Sequence, residues 1–132
     1  MESILVIDDE KDIHYSFQRN FVSLGWNLLF ATSGEEGLDL CAQYQYDLIF
    51  IDYKLPGLNG QETTLRIRAA HQNVLIIGMS AILQQSIIEA CYEAGMDDFI
   101  AKPISQVSIL TLLRHNEKSQ FLVKEIIENK SV

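Results

Sequence analysis

Polar side chains with chemical capacity gather where apolar runs stop. "ILVIDDE" (4–10) ends on Asp8, Asp9 and Glu10, "DLIFID" (47–52) ends on Asp52, "VLIIGMS" (74–80) ends on Ser80, and "DFIAKP" (98–103) runs into Lys102 and Pro103. Brought to one edge, these residues would hold a cation rather than a bare phosphate. Dinucleotide and P-loop sites receive a phosphate on glycines and backbone N–H groups after the first strand, whereas this turn presents three acids in a row. Mg2+, or Mn2+ in its place, prefers oxygen donors and takes one or two carboxylates, sharing its remaining positions with water and phosphate. Asp8, Asp9 and Asp52 on one side balance a divalent ion plus Lys102 on the other, so a phosphoryl group could enter such a site without prohibitive repulsion.

The elements that must position these groups alternate in type along the chain. The apolar runs at 4–7, 27–31, 47–52, 74–80 and 98–101 are continuous rather than alternating, as in strands buried on both faces of a parallel sheet. Between them lie helical spacings: Ile13, Phe17, Phe21 and Leu24, then Leu83, Ile87, Cys91 and Ala94, with weaker stripes at Leu38, Cys41 and Ala42, at Leu65 and Ala69, and at Val107, Leu110 and Leu113. Five such alternations predict an α/β fold with right-handed crossovers and helices on both faces of the sheet. In an open sheet of this kind the ligand site lies outside the carboxyl ends of the strands, where strand order reverses. Trp26 opens the second strand and so belongs at the opposite edge.

Composition narrows the functional classes. The 132 residues fit one domain with a substantial core, 48% of them being hydrophobic. Residues 1–103 hold 6 basic and 15 acidic side chains and 104–132 hold 4 and 3, so the net charge of −8 belongs to an acidic body without a basic stripe. That body would repel a nucleic-acid backbone. No run approaches the roughly 20 apolar residues of a membrane span, and the N-terminal "ILVI" has acids on both sides and no basic residue before it. A cytoplasmic protein without a membrane partner is expected. Cys41 and Cys91 lie apart in apolar segments and read as reduced core thiols, and His14, His71 and His115 share no ligand spacing. The composition shifts at "RHNEKSQ" (114–120), which places a domain over residues 1–116 and an amphipathic tail or linker helix over 117–132, with Leu122, Val123, Ile126 and Ile127 on its apolar face.

"VIDDE", "IDYKLPGLNG", Ser80-Ala81 and "EAGMDDFIAKPI", in order and each at a strand end, resemble the receiver domain of response regulators, the CheY-like fold. The resemblance implies a three-layer, doubly wound, five-stranded parallel sheet of order 2-1-3-4-5. It also implies a signalling switch rather than an enzyme with a separate substrate, phosphorylated on aspartate by a sensor histidine kinase or a histidine phosphotransfer protein of a phosphorelay. Carried over residue by residue, Asp52 is the phosphoacceptor, Asp9 the direct Mg2+ ligand, Asp8 a ligand largely through water, and the Lys54 backbone carbonyl the last protein ligand. Lys102 meets a phosphoryl oxygen and Pro103 follows a cis peptide. Ser80 and Phe99 form the switch, which changes the surface of the fourth helix, fifth strand and fifth helix, a face also suited to homodimerisation. Lys54 and Ile82 flank the path of the hydrolytic water and tune the dephosphorylation rate.

Each residue alone has a plainer reading: Asp9 as a helix N-cap, Asp52 as turn chemistry before Pro56-Gly57, Ser80 as a cap, Lys102 as a solvated lysine and Phe99 as a core aromatic. Ser80 stands where threonine is commonest, Leu55 where methionine is frequent, Asn59 for a frequent aspartate, and Phe99 lacks the usual tyrosine hydroxyl. Three other classes share parts of the pattern. A haloacid-dehalogenase-type phosphatase would want a second acid where Lys54 stands, a flavodoxin-like carrier would want a hydroxyl-rich first loop, and a pseudo-receiver would bind partners without phosphorylation.

Overall fold

The computed structural model describes residues 3–71 and 73–116. Their elements are β1 (Ser3–Ile7), α1 (Lys11–Phe21), β2 (Asn27–Ala31), α2 (Gly34–Gln43), β3 (Leu48–Asp52), α3 (Gly60–Ala70), β4 (Leu75–Ser80), α4 (Gln85–Ala94), β5 (Asp98–Ala101) and α5 (Gln106–Arg114). A short 3-10 turn, Val22–Leu24, follows α1 and ends on Gly25 at φ 76°. The five strands are all parallel and lie in the order β2-β1-β3-β4-β5, as the resemblance implies. The amphipathic tail expected over 117–132 lies outside the described residues.

Side chains along a strand point alternately to its two faces, so a continuous apolar run supplies two cores at once. Ile4, Val6, Leu48, Phe50, Leu75 and Ile77 pack under Phe17 and Phe21 of α1 and Ile109 and Leu113 of α5. Leu5, Ile7, Ile49, Ile51 and Ile76 pack on the other face with Cys41 of α2, Ile67 of α3 and Cys91 of α4. Each such side chain, fully buried, contributes about 2 kcal/mol of transfer free energy. Both cysteines are buried and free, and burial pushes their thiols up to about 11, so neither is a nucleophile at neutral pH. Trp26 immediately precedes β2, at the amino-terminal edge of the sheet, and stacks on Phe21 with ring centroids 4.7 Å apart.

Four of the apolar stripes differ in part from the sequence expectation. On α3, Leu65 and Ala69 are exposed and the buried face is Gly60, Thr63, Thr64 and Ile67. The threonines bury because Thr63 Oγ1 donates to the Asn59 carbonyl and Thr64 Oγ1 to the Gly60 carbonyl, both at 2.7 Å, which leaves their methyl groups to pack. On α5, Val107 points outward and Ile109 takes its place in the core. The capping box of Ser105 and Ser108 sets this phase by fixing where the helix begins. Leu83 precedes α4 altogether and is exposed, and Ala42 of α2 is exposed beside the buried Cys41. No described helix is long and apolar enough to cross a membrane.

Candidate functional site

Asp52 is the last residue of β3 and only 4% exposed. Its position depends on how the chain leaves the strand. Gly57 turns the loop at φ 70°, Asn59 accepts a hydrogen bond from the Glu62 N–H at 2.8 Å to start α3, and Gly60 passes against the end of β3. A Cβ at Gly60 would collide with the Asp52 carbonyl and come within 3.0 Å of Tyr53 Cα, so no larger residue lets α3 begin this close to the strand tip.

Asp8 follows β1 by one residue and is fully buried. Its N–H donates to the Ala31 carbonyl at 3.0 Å, and its Oδ1 accepts from the Glu10 N–H at 2.9 Å. Lys102, after β5, reaches back across the sheet end with its side chain only 10% exposed. Its Nζ lies 2.8 Å from Asp8 Oδ2, 3.4 Å from Asp52 Oδ2 and 3.4 Å from Glu10 Oε1. The Lys102–Pro103 peptide is cis. Asp8, Asp9, Glu10 and Asp52 each bring a carboxylate oxygen within 4.8 Å of one another, with Asp9 and Glu10 on the solvent side.

The electrostatics of the cluster follow from burial. Burial pushes the Asp52 carboxyl up to about 6, helped by repulsion from Asp8 and opposed by Lys102. Asp8 is raised as well, by burial, against the pull of Lys102. For Lys102 burial alone would lower the pKa, but Asp8, Asp52 and Glu10 outweigh it and hold the ammonium above its usual range. Two buried acids that resist ionising side by side are short of positive charge. Asp8 Oδ2, although ion-paired, has no aligned hydrogen bond. Oxygen donors without nitrogen or sulfur, one of them under-coordinated, fit a hard divalent cation such as Mg2+.

A stability consequence follows. An acid whose folded pKa is raised stabilises the fold fully below its unfolded pKa, near 3.8, and that stability is lost as pH rises through about 6. Asp52→Asn removes the loss, so in the absence of divalent metal it should stabilise the fold at pH 8 by about 1–3 kcal/mol and by little at pH 4. Urea unfolding at the two pH values checks this, and an equal effect at both contradicts the assigned burial cost.

The remaining residues sit around this centre. Ser80 ends β4, 6% exposed, with its Oγ accepting from the Ile82 N–H at 3.0 Å. It caps no helix; the residue before α4 is Gln84. Phe99 pairs with Gly78 across β4 and β5, and a Cβ on Gly78 would lie 2.8 Å from Phe99 Cδ2, so the ring occupies the space the glycine leaves. Lys54 and Ile82 are both exposed on the rim, and the Lys54 N–H donates to Asp52 Oδ1 at 3.3 Å. Two contacts went unread in the sequence. Glu10, read only as one of the three acids of the first turn, shares the Lys102 ammonium, and His14 Nε2 lies 2.7 Å from the Asp8 carbonyl.

Comparison with known proteins places this geometry. The family model described as "Response regulator receiver domain" matches residues 4–114. The virulence sensor protein BvgS of Bordetella bronchiseptica is 34% identical over 108 residues, covering 76% of this chain and 9% of that protein. The transcriptional regulatory protein AfsQ1 of Streptomyces coelicolor is 32% identical over 122 residues, covering 89% of this chain and 54% of AfsQ1. The chain therefore spans about a tenth to about half the length of these curated relatives. Among solved structures, the chemotaxis protein CheY4 of Vibrio cholerae superposes with a TM-score of 0.82 over 88% of this chain and 98% of CheY4, at 19% identity, a likeness of fold.

Proposed function

The chain belongs to the response regulator receiver family of two-component signalling, and we propose that it is a cytoplasmic, Mg2+-dependent phosphoacceptor that takes its phosphoryl group on Asp52 from a sensor histidine kinase or a histidine phosphotransfer protein. The observation that carries this is the placement of Asp52: a buried carboxylate at a rigid strand tip, 3.4 Å from a lysine ammonium and inside a cluster of acids.

In the proposed reaction an Asp52 carboxylate oxygen attacks phosphorus in line. A P–O bond forms to Asp52, the P–N bond to the donor imidazole breaks, and its electron pair stays on the imidazole nitrogen. Asp8, Asp9, Asp52 and the Lys54 carbonyl would hold Mg2+, which would supply charge neutralisation at the phosphoryl oxygens. Lys102 is already bound to two buried carboxylates, so it needs only a small displacement from Asp52 to pair with a phosphoryl oxygen. Ser80 Oγ accepts from Ile82 and keeps its own proton to donate to the phosphoryl group. Because Ile82 is tied to that oxygen, moving Ser80 inward draws the loop after β4 with it. Phe99, against Gly78, then shifts in the space beside that loop, and the α4, β5 and α5 surface changes for a partner or a second copy to read. Lys54 and Ile82 are assigned to the rate of phosphoryl loss. The receiver unit is assigned to residues 1–116, with 117–132 as a tail or linker.

Incubation with Mg2+ and acetyl phosphate should add one phosphoryl group per chain, read by intact mass and removed by hydroxylamine, with none gained in excess chelator. Wild-type protein that gains none under any Mg2+ concentration would instead be a phosphorylation-independent interaction module.

A further inference from the structure

His14 lies in the first turns of α1 and faces back toward the acidic loop. Its Nε2 is 2.7 Å from the backbone carbonyl of Asp8. A carbonyl oxygen only accepts, so the nitrogen that faces it carries the proton and donates. The ring is fixed from the other side by Phe30 of β2, with centroids 4.7 Å apart and planes 30° from parallel. Asp8 stands one residue past the end of β1, where the strand ladder no longer dictates the direction of its carbonyl. Its N–H is held by Ala31 of β2 and its carbonyl by His14, so the peptide planes on both sides of Asp8 are fixed. The plane that carries the Asp8 carbonyl also carries the Asp9 N–H, and its orientation sets where Asp9 leaves the strand end.

We propose that His14 is a positioning residue for the metal site: its Nε2–H, braced by Phe30, fixes the Asp8–Asp9 peptide and so aims the Asp9 carboxylate at the cation. This rests on the reading of Asp8 and Asp9 as metal-holding acids. Groups that orient a metal ligand without touching the metal change affinity by about 10- to 100-fold when removed. A peptide plane that can swing lets the Asp9 carboxylate point to solvent, where it already is exposed.

Two substitutions separate the hydrogen bond from the packing. His14→Phe keeps a ring against Phe30 and loses the donor, while His14→Gln loses the ring and places an amide N–H at a similar reach. Mn2+ serves as the probe, with free ion followed by electron paramagnetic resonance and metal-free melting temperature measured alongside. H14F should bind Mn2+ about tenfold more weakly than wild type with a nearly unchanged metal-free melting temperature, and H14Q should stay within about threefold of wild type. The proposal is overturned if H14F binds as tightly as wild type, or if H14Q loses as much affinity as H14F. Wild-type protein that takes up no Mn2+ overturns the reading of the acids themselves, which is a different result from wild-type binding that His14 does not affect.

Discussion

Asp52→Asn protein should gain no phosphoryl group from acetyl phosphate and Mg2+, with initial rates down at least about a thousandfold, the scale on which loss of a nucleophile usually registers. An amide oxygen carries little of a carboxylate's negative charge, and its adduct with phosphorus would be cationic at nitrogen. The replacement is nearly isosteric, so the loss cannot be assigned to unfolding; the variant should be the more stable protein at pH 8, because it relieves the burial cost that holds Asp52 near 6. Asp8 is too tightly engaged by Lys102 and the Glu10 N–H to substitute as acceptor, but Asp9 is exposed and is the residue where adventitious label would appear. Intact mass with peptide mapping after borohydride reduction distinguishes these cases. Undiminished uptake by D52N, or wild-type label on a histidine or serine, sinks the assignment.

The division between what the sequence shows and what it conceals runs along one physical line. The strands buried on both faces, β1, β3 and β4, have no alternative to continuous apolar runs, so they start and stop within one residue of those runs, and the residues at the run ends had to meet at one sheet edge. That made Asp8, Asp9, Asp52, Ser80 and Lys102 legible together. Helix faces were less secure, since apolarity is only one way to be buried. Thr63 and Thr64 bury by hiding their hydroxyls on the preceding turn, which turns Leu65 and Ala69 outward, and no stripe of apolar letters announces it. His14 was concealed for a related reason. Its partner is a main-chain carbonyl six residues back, across a turn whose shape is set by β2, and a backbone acceptor has no residue type to recognise. Sharing of Lys102 among Asp8, Asp52 and Glu10 was hidden likewise, because the residue pairs are 94, 50 and 92 positions apart and only the sheet order brings them together.

The phosphorylated protein should be long-lived, and two rim residues should set its lifetime. Hydrolysis of the acyl phosphate needs a water in line behind phosphorus, opposite the Asp52 oxygen that leaves. The role proposed for Lys54 and Ile82 puts that approach between the loops after β3 and β4, on which both stand exposed. Ile82 is 50% exposed and has no side-chain donor or acceptor to hold a water in line, and its N–H is tied to Ser80, which keeps the side chain beside the site. Lys54 is exposed, with its N–H on Asp52 Oδ1, so its ammonium can swing over a dianionic phosphoryl group and crowd the same approach. In the proposed roles one residue would shield and the other would pair, and neither would orient a nucleophile. Replacing both by side chains that can hydrogen-bond water, Lys54→Asn with Ile82→Gln, should speed loss of the phosphoryl group at least about tenfold, a barrier change of about 1.4 kcal/mol. Neither substitution touches the buried acids, so the rate of phosphoryl uptake should change less than the rate of loss. Decay of phosphoprotein after rapid removal of acetyl phosphate, with Mg2+ retained, gives the rate directly. Wild-type decay within seconds, or a double variant with the wild-type rate, contradicts the role given to these two positions and leaves Asp52 as the acceptor, because uptake and loss of the phosphoryl group depend on different parts of the same pocket.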